Sequence, residues 1–404
     1  MFSCFRKSLF GSLVAGALAS VSLSAAFTAP ALADTASFVR SLWPDAQRAG
    51  VRQQIFEAAF SGYAPIPKVT ELTKSQPEFT QTVQQYVDKR VTAAQAAKGS
   101  AMRQEWAQTL GRVQQTYGVQ PEVVLAIWGM ETNYGGYMGG NNTIHALATL
   151  TQNNYRTEFF RSELITALKI LNEGHIAPKS MTGSWAGAMG HTQFMPSSFM
   201  RYAIDFNGDG RKDIWNSIPD ALGSTGNYLK SFGWRPGETW GYEVRLPQNF
   251  DFARARDMNK ASIGTWRQMG ITRVSGRDFP RVGDEARLYM PAGARGPAFL
   301  LLPNFEVIKR YNNSDSYALA VGHLADRIIG GGAFATAWPQ GDFALTKAQR
   351  AEVQTLLNRR GFDVGSPDGV VGPKTRAAVM AFQTRAGLLP DGHVSGTLLE
   401  ALRR

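Results

Sequence analysis

Apolar and polar positions alternate with helical spacing over residues 37–115, and Pro44, Pro65, Pro67 and Pro77 punctuate the pattern, so several helices are predicted there. Pro121 and Glu122 suit the first two positions of a further helix, and Val123, Val124, Leu125, Ala126, Ile127, Trp128 and Met130 make it apolar on nearly every side. Such a helix must be buried. Residues 239–246, 286–291 and 298–303 read as short strands or extended pieces, and helical spacing returns over 311–329. Gly330-Gly331-Gly332 through Trp338-Pro339-Gln340-Gly341 breaks every period and predicts a linker. Beyond it, Val353, Leu356 and Leu357 share one helical face, Pro373 opens a second helix carrying Ala377, Ala378, Val379 and Phe382, and Leu398, Leu399 and Leu402 mark a third. Two turns, Pro367-Asp368-Gly369 and Pro390-Asp391-Gly392, each precede a helix by a few residues, which predicts an internal repeat of turn plus helix in a small binding module.

The amino terminus changes the picture of where the chain works. Arg6 and Lys7, an apolar run from Leu9 to Leu23 and then Ala31-Leu32-Ala33 fit a secretory leader over 1–33, cleaved before Asp34. Cys4, the sole cysteine, lies inside it, so the mature chain has neither disulfides nor thiolate metal ligands. The remaining sequence has no second apolar run long enough to span a bilayer. The 404 residues have a globular composition, and 43 Lys+Arg against 32 Asp+Glu give a formal charge of +11. This surplus favours an anionic partner, but it forms no polybasic tract and accompanies no nucleic-acid motif. The expected place is the periplasm or another exported location.

Three patterns carry candidate chemistry. Glu131 ends the apolar helix and is followed by Thr132-Asn133-Tyr134-Gly135-Gly136; desolvation there would raise its pKa, as a general acid requires, while a glutamate reaching water just past a helix end fits the position too. Residues 183–198 mix small residues with Ser184, Trp185, Gln193 and Phe194, so that Trp185 and Phe194 are expected to stack on sugars and Ser184 and Gln193 to bind amide or hydroxyl groups; a tight loop before a helix begun by Pro196 is the alternative. Asp205, Asn207, Asp209 and Asp213 alternate as in the opening of a calcium loop, with Gly210 at the turn. Asn216 stands where the usual bidentate Glu would be, and an Asx-rich turn fits the same residues. The five histidines lack metal-ligand spacing.

Taken together, Glu-Thr-Asn-Tyr-Gly after the apolar helix, Gly-Ala-Met-Gly-His-Thr-Gln-Phe-Met-Pro-Ser-Ser over 187–198, Asp-Phe-Asn-Gly-Asp-Gly-Arg-Lys-Asp-Ile-Trp over 205–215 and Asn-Phe-Glu-Val-Ile-Lys-Arg-Tyr-Asn-Asn-Ser-Asp-Ser-Tyr over 304–317 resemble the lytic murein transglycosylase B family. The tail, with Gly372-Pro373-Lys374-Thr375 and Ala381-Phe382-Gln383, is similar to a peptidoglycan-binding module. The resemblance implies a mainly α chain, with a lysozyme-like α+β catalytic region over 34–335, a linker over 336–345 and a small three-helix domain over 346–404. It implies cleavage of the MurNAc-GlcNAc β-1,4 bond in peptidoglycan glycan strands, leaving 1,6-anhydromuramoyl ends, and it adds association with the cell wall to the expected exported location. Glu131 matches the family's acid/base, Ser184 and Gln193 its glycan-contacting positions, and Tyr311, Asn312 and Tyr317 its cleft. Asp220 is the nearest match to the Asp that closes the family's loop, so Asp205, Asn207, Asp209 and Asp220 are the expected ligands of a structural Ca2+; no other cofactor is expected. The competing readings are a hydrolytic muramidase, with Glu158, Glu163 or Asp205 as second carboxylate, and a noncatalytic wall-binding protein.

Overall fold

The computed structural model describes residues 29–73 and 81–404, with side chains from Asp34 onward. The expected leader therefore lies outside the described residues, apart from residues 29–33 at the start of a helix, and so do Cys4 and Pro77. The chain forms two compact units, Met1–Leu42 and Trp43–Arg404.

Helices dominate: α1 (Ala29–Arg48), α2 (Gln53–Phe60), α3 (Pro67–Leu72), α4 (Val83–Arg90), α5 (Ala93–Glu105), α6 (Ala107–Tyr117) and α7 (Pro121–Thr132) come first. Thr82 and Gln85 form a reciprocal capping box at the start of α4, and Thr92 caps α5 through the Gln95 amide. Strand β1 (Asn141–Asn142) leads to α8 (Thr143–Gln152) and α9 (Thr157–Asn172), then β2 (Thr182–Gly183), α10 (Pro196–Tyr202) and α11 (Ile218–Ser231). As its composition predicts, α7 is buried from Val123 to Met130 and packs against α5, α6, α11 and α15 (Asp315–Ile328). Burying an all-apolar helix at the centre fixes the position of whatever polar group ends it.

A five-stranded antiparallel sheet follows, in the order β4 (Ala261–Ser262), β6 (Glu285–Tyr289), β7 (Ala298–Leu301), β3 (Gly241–Arg245) and β5 (Thr272–Arg273). Three of the five fall on the extended stretches predicted at 239–246, 286–291 and 298–303. Strands β4 and β5 have only two residues each, too short to leave an alternating pattern. Helices α12 (Phe252–Met258) and α13 (Ile263–Gln268) cover the sheet, whose core centres on Trp266, Ile263 and Leu300. Helix α14 (Pro303–Ile308) returns the chain to α15. The helical spacing at 311–329 thus begins later than expected: Tyr311 and Asn312 lie in the turn before α15, which Ser314 caps by accepting from the Tyr317 amide.

The tail contains α16 (Lys347–Arg359), α17 (Pro373–Arg385) and α18 (Gly396–Arg403) around Val353, Leu357, Val379, Leu399 and Leu402. Its two turns are built alike. Gln354 accepts from the Gly369 amide and donates to Asp368 at 3.1 Å, and Gln383 accepts from the Gly392 amide and donates to Asp391 at 2.8 Å. Buried glutamine thus supplies both a donor and an acceptor to each Asp-Gly pair. The module is docked rather than loosely strung: Met380 enters the core of the sheet, Asp391 accepts from the Ala294 amide at 2.9 Å, and Leu345, at the end of the linker stretch, belongs to the tail's own core.

Candidate active site

Glu131 occupies the last turn of α7, half-buried, with Thr132 buried behind it. Immediately afterwards Asn133, Tyr134 and Gly135 all take left-handed backbone conformations, at φ 51°, 56° and 78°. Two consecutive non-glycine residues there store strain that surrounding contacts must offset. Those contacts are present. Thr132 Oγ1 accepts from the Gly135 amide at 3.0 Å, and the buried Tyr134 donates its hydroxyl to Gln95 O at 3.1 Å. The Tyr134 side chain lies against Gly99 of α5 and Gly129 of α7, where a Cβ would collide with it. Lys98 Nζ donates to Asn133 O at 2.8 Å.

Tyr317, in the first turn of α15 and buried, donates its hydroxyl to Glu131 Oε1 at 2.6 Å. This is the contact that binds the two halves of the site. Burial and the nearby Glu131 carboxylate push both Tyr317 and Tyr311 well above the ordinary phenol range, so both remain hydrogen-bond donors. Tyr311 donates to Thr192 O at 2.8 Å, and its ring packs on Phe194, 5.7 Å between centroids. Tyr86 on α4 is also felt by Tyr317 and was not singled out from the sequence; a buried tyrosine on an amphipathic helix looks like core.

The 183–198 loop closes over the end of α7. Trp128 Nε1 donates to His191 Nδ1 at 3.1 Å, which assigns the ring proton to Nε2, and burial lowers the His191 pKa, so the imidazole is neutral. Ser184 Oγ accepts from the amides of Ala186 and Ala188 at 3.3 and 3.1 Å, and its hydroxyl proton is still able to donate to a further acceptor. Gln193, at φ 50°, donates Nε2 to Met138 O and Gly190 O at 3.1 and 2.9 Å, tying the loop to the segment after Glu131. One expectation fails: Phe194 is 2% exposed and packs between Tyr228 and Tyr311, so it stacks on protein rings and not on sugar. Trp185 is half-exposed. Asn312 adjoins Tyr311 in the turn, but no hydrogen bond joins its side chain to the other candidates among the described residues.

Two of the three candidates for a second carboxylate are otherwise engaged, and the third is exposed. Both oxygens of the buried Glu163 accept from Ser197, from Oγ at 2.6 Å and from the amide at 2.8 Å, at the start of α10. Asp205 accepts from the amides of Gly208, Asp209 and Gly210 at 2.7, 3.1 and 2.7 Å, and Glu158 is exposed on α9.

Residues 34–326 match the model described as Transglycosylase SLT domain, and 346–402 match the Putative peptidoglycan binding domain. The chain belongs to the lytic murein transglycosylase B family. Membrane-bound lytic murein transglycosylase B of Escherichia coli (strain K12) is 36% identical over 249 residues, 60% of this chain and 66% of that protein, so the match spans just under two thirds of the relative. SltB3 from Pseudomonas aeruginosa, solved in complex with NAG-anhNAM-pentapeptide, is 45% identical, with a TM-score of 0.86 over 92% of this chain and 99% of that one. The Escherichia coli lytic transglycosylase Slt35 in complex with calcium is 32% identical, with a TM-score of 0.60 over 73% of this chain and 92% of that one.

Within the family fold, the loop at 205–220 gathers its acids as follows. Asp205, Asp209 and Asp220 each bring one carboxylate oxygen within 4.8 Å of the others. Asp220 is fully buried and accepts from the amides of Phe206, Asn207 and Asp213; burial raises its pKa while those bonds oppose the rise. At Asp205 desolvation raises the pKa, but the three backbone donors outweigh it and hold the net value below the usual one. Asn207 turns its amide oxygen to the Asp209 N–H, 2.9 Å away. Asp213, part of the alternating pattern, instead accepts from the amides of Trp215 and Asn216 at 3.0 and 2.9 Å and stands outside the trio.

Proposed function

We propose that this chain is an exported peptidoglycan lytic transglycosylase in which Glu131 alone serves as acid and then base. The observation that carries the reading is the Tyr317 hydroxyl 2.6 Å from Glu131 Oε1. A phenol that stays protonated fixes the carboxyl plane, and by occupying Oε1 it favours the catalytic proton on the other oxygen. Glu131 donates that proton to the leaving glycosidic oxygen. The substrate's acetamido group stabilises positive charge at C1, oriented by Ser184, whose hydroxyl keeps a proton to donate, and by Asn312. The ionised Glu131 then takes the proton from the muramoyl C6 hydroxyl as that oxygen closes on C1, and no water is consumed. The engagement of Glu163 by Ser197 and of Asp205 by backbone amides supports a single-carboxylate route over hydrolysis. Mass spectrometry of digested sacculi tests this directly: anhydro ends are expected, and reducing muramic ends would replace the reading with a muramidase.

The trio Asp205, Asp209 and Asp220 fits a calcium ion in the chemistry of its donors, three hard oxygens held close together by a backbone-bonded loop. A relative solved with calcium supports that assignment. The ion would brace the loop, and no step of cleavage passes through it. A rise in melting temperature on adding Ca2+, abolished in Asp209→Asn, is expected; an identical melt with chelator removes the ion. The tail would hold the enzyme on peptidoglycan, and the charge left after removal of the leader with Arg6 and Lys7, 41 Lys+Arg against 32 Asp+Glu or +9, favours that polyanionic surface.

A further inference from the structure

Beside Glu131 the groove has a second wall that the cleavage chemistry does not use. Lys89 and Arg90 end α4, and together with Gln95, Glu131, Asn133 and Tyr137 they line a cavity of about 260 Å3. The wall is fixed in place: Gln95 Nε2 donates to Gly129 O at 2.8 Å, and Lys98 Nζ holds Asn133 O at the same distance. Arg90 lies over the Tyr86 ring, 5.1 Å from its centroid, the same tyrosine that adjoins Tyr317. Neither Lys89 nor Arg90 forms an ion pair with any carboxylate among the described residues, although many of the chain's other cations do. Among the described residues Glu131 is the only acid lining the cavity. Tyr137 stands at the rim, 73% exposed.

Two adjacent cations with no carboxylate partner among the described residues, beside the group that acts on the glycan, call for an anionic group on the substrate. Sugar rings offer hydroxyl and acetamido groups. On a peptidoglycan strand the charge that complements these cations is carboxylate, borne by the peptide stem or, where the stem has been removed, by the lactyl ether. The same cavity holds Glu131 and, at the α4–α5 junction, Lys89, Arg90, Thr92 and Gln95, so a side branch of a glycan held at Glu131 can reach the two cations. We infer that Lys89 and Arg90 form a subsite for a carboxylate of the peptide stem and make the enzyme selective for stem-bearing glycan.

This inference rests on the reading of Glu131 as the cleaving group, and the experiment separates the two. The purified full chain is given stem-bearing oligosaccharide, the same oligosaccharide stripped by an amidase so that only the lactyl carboxylate remains, and a third sample whose stem carboxylates are amidated. For the native enzyme, KM is expected to rise about tenfold on amidation of the stem, the size of one lost charge contact of about 1.4 kcal/mol. In Lys89→Gln/Arg90→Gln the preference for stem-bearing over stripped substrate is expected to fall by about the same factor, with kcat on the stem-bearing substrate held within about twofold. Equal losses on both substrates would assign the cations to the lactyl group or to groove shape and overturn the stem subsite, as would unchanged preference. The amidated substrate gives the answer even where the double variant folds poorly. Native enzyme that cleaves none of the three removes the Glu131 reading itself, whereas cleavage of all three with equal KM removes the subsite alone.

Discussion

The turn after Glu131 and the paired turns of the tail meet the same geometric demand by opposite means. In the tail, glycine takes the left-handed position, Gly369 at φ 72° and Gly392 at φ 69°, and a glutamine one helix away closes each turn. After Glu131, Asn133 and Tyr134 take that conformation themselves, and it persists because Tyr134 is seated against Gly99 and Gly129 and bonded to Gln95. One turn is specified by its own residues; the other is imposed by packing from two helices. Imposed geometry suits a site whose carboxyl must be held in one place, because the strain is released only if the surrounding helices move.

The largest effect separating the two regions is expected at Glu131. Glu131→Gln preserves shape and hydrogen-bonding size but removes the titrating proton, and cleavage of sacculi should fall by about a thousandfold or more. Asp368→Asn, in a tail turn far along the chain, should leave the cleavage chemistry near native. Should the glutamine variant retain full cleavage, the assignment of acid and base to α7 fails.

Next in size is Gly129→Ala. Its Cβ would meet the Tyr134 ring, so either the tyrosine or α7 must shift, at a cost of about 1–3 kcal/mol. Calorimetry should show a lower melting temperature, and kcat should drop along with it because Glu131 lies two residues on. A stable variant with reduced kcat would still support imposed geometry, whereas native stability and native kcat together would contradict it.

These contrasts explain what was legible in the sequence. The apolar run 123–130 announced a buried helix, and the paired Pro-Asp-Gly turns announced a repeat, because both are written in consecutive residues. Glu131 and Tyr317 were marked by family motifs, but their bond joins residues 186 apart and no local pattern encodes it. Phe194 misled for the same reason: an aromatic in a glycine-rich loop reads as a ligand platform until Tyr228 and Tyr311 are found on either side of it. Tyr86, Lys89 and Arg90 gave no signal, since a tyrosine and two cations on a helix end are ordinary until the cavity shows what they face.

Acids in the two regions should respond to pH in opposite directions. Asp326, on the same helix as Tyr317, bonds to Trp240 Nε1 at 3.1 Å, and burial raises its pKa to about 7. Its neutral form is favoured by folding, so its stabilising contribution is complete below the unfolded value near 4 and is lost as pH rises through about 7. Asp368 is held below its usual value by the Val370 amide and Gln354, so its contribution is present at neutral pH and lost on acidification. Asp326→Asn should therefore raise the melting temperature at pH 8 more than at pH 5, and Asp368→Asn should lower it at neutral pH but little under acid. Parallel pH profiles for the two variants would contradict the contrast.

The smallest effect is the most discriminating. Gly369→Ala places a Cβ at positive φ and against Lys347 O, and should cost about 1–2 kcal/mol. Asn133→Gly relieves left-handed strain but adds backbone entropy to the unfolded chain, two terms of about 1 kcal/mol that oppose each other, so stability should change by less than about 0.5 kcal/mol. A clear gain would mean that strain at Asn133 is not offset by its surroundings. A clear loss would mean that Asn133, and not Tyr134 in its seat, holds the turn. Near-zero change places the constraint in Gly99, Gly129 and Gln95, which is where the structure places the contacts that fix Glu131.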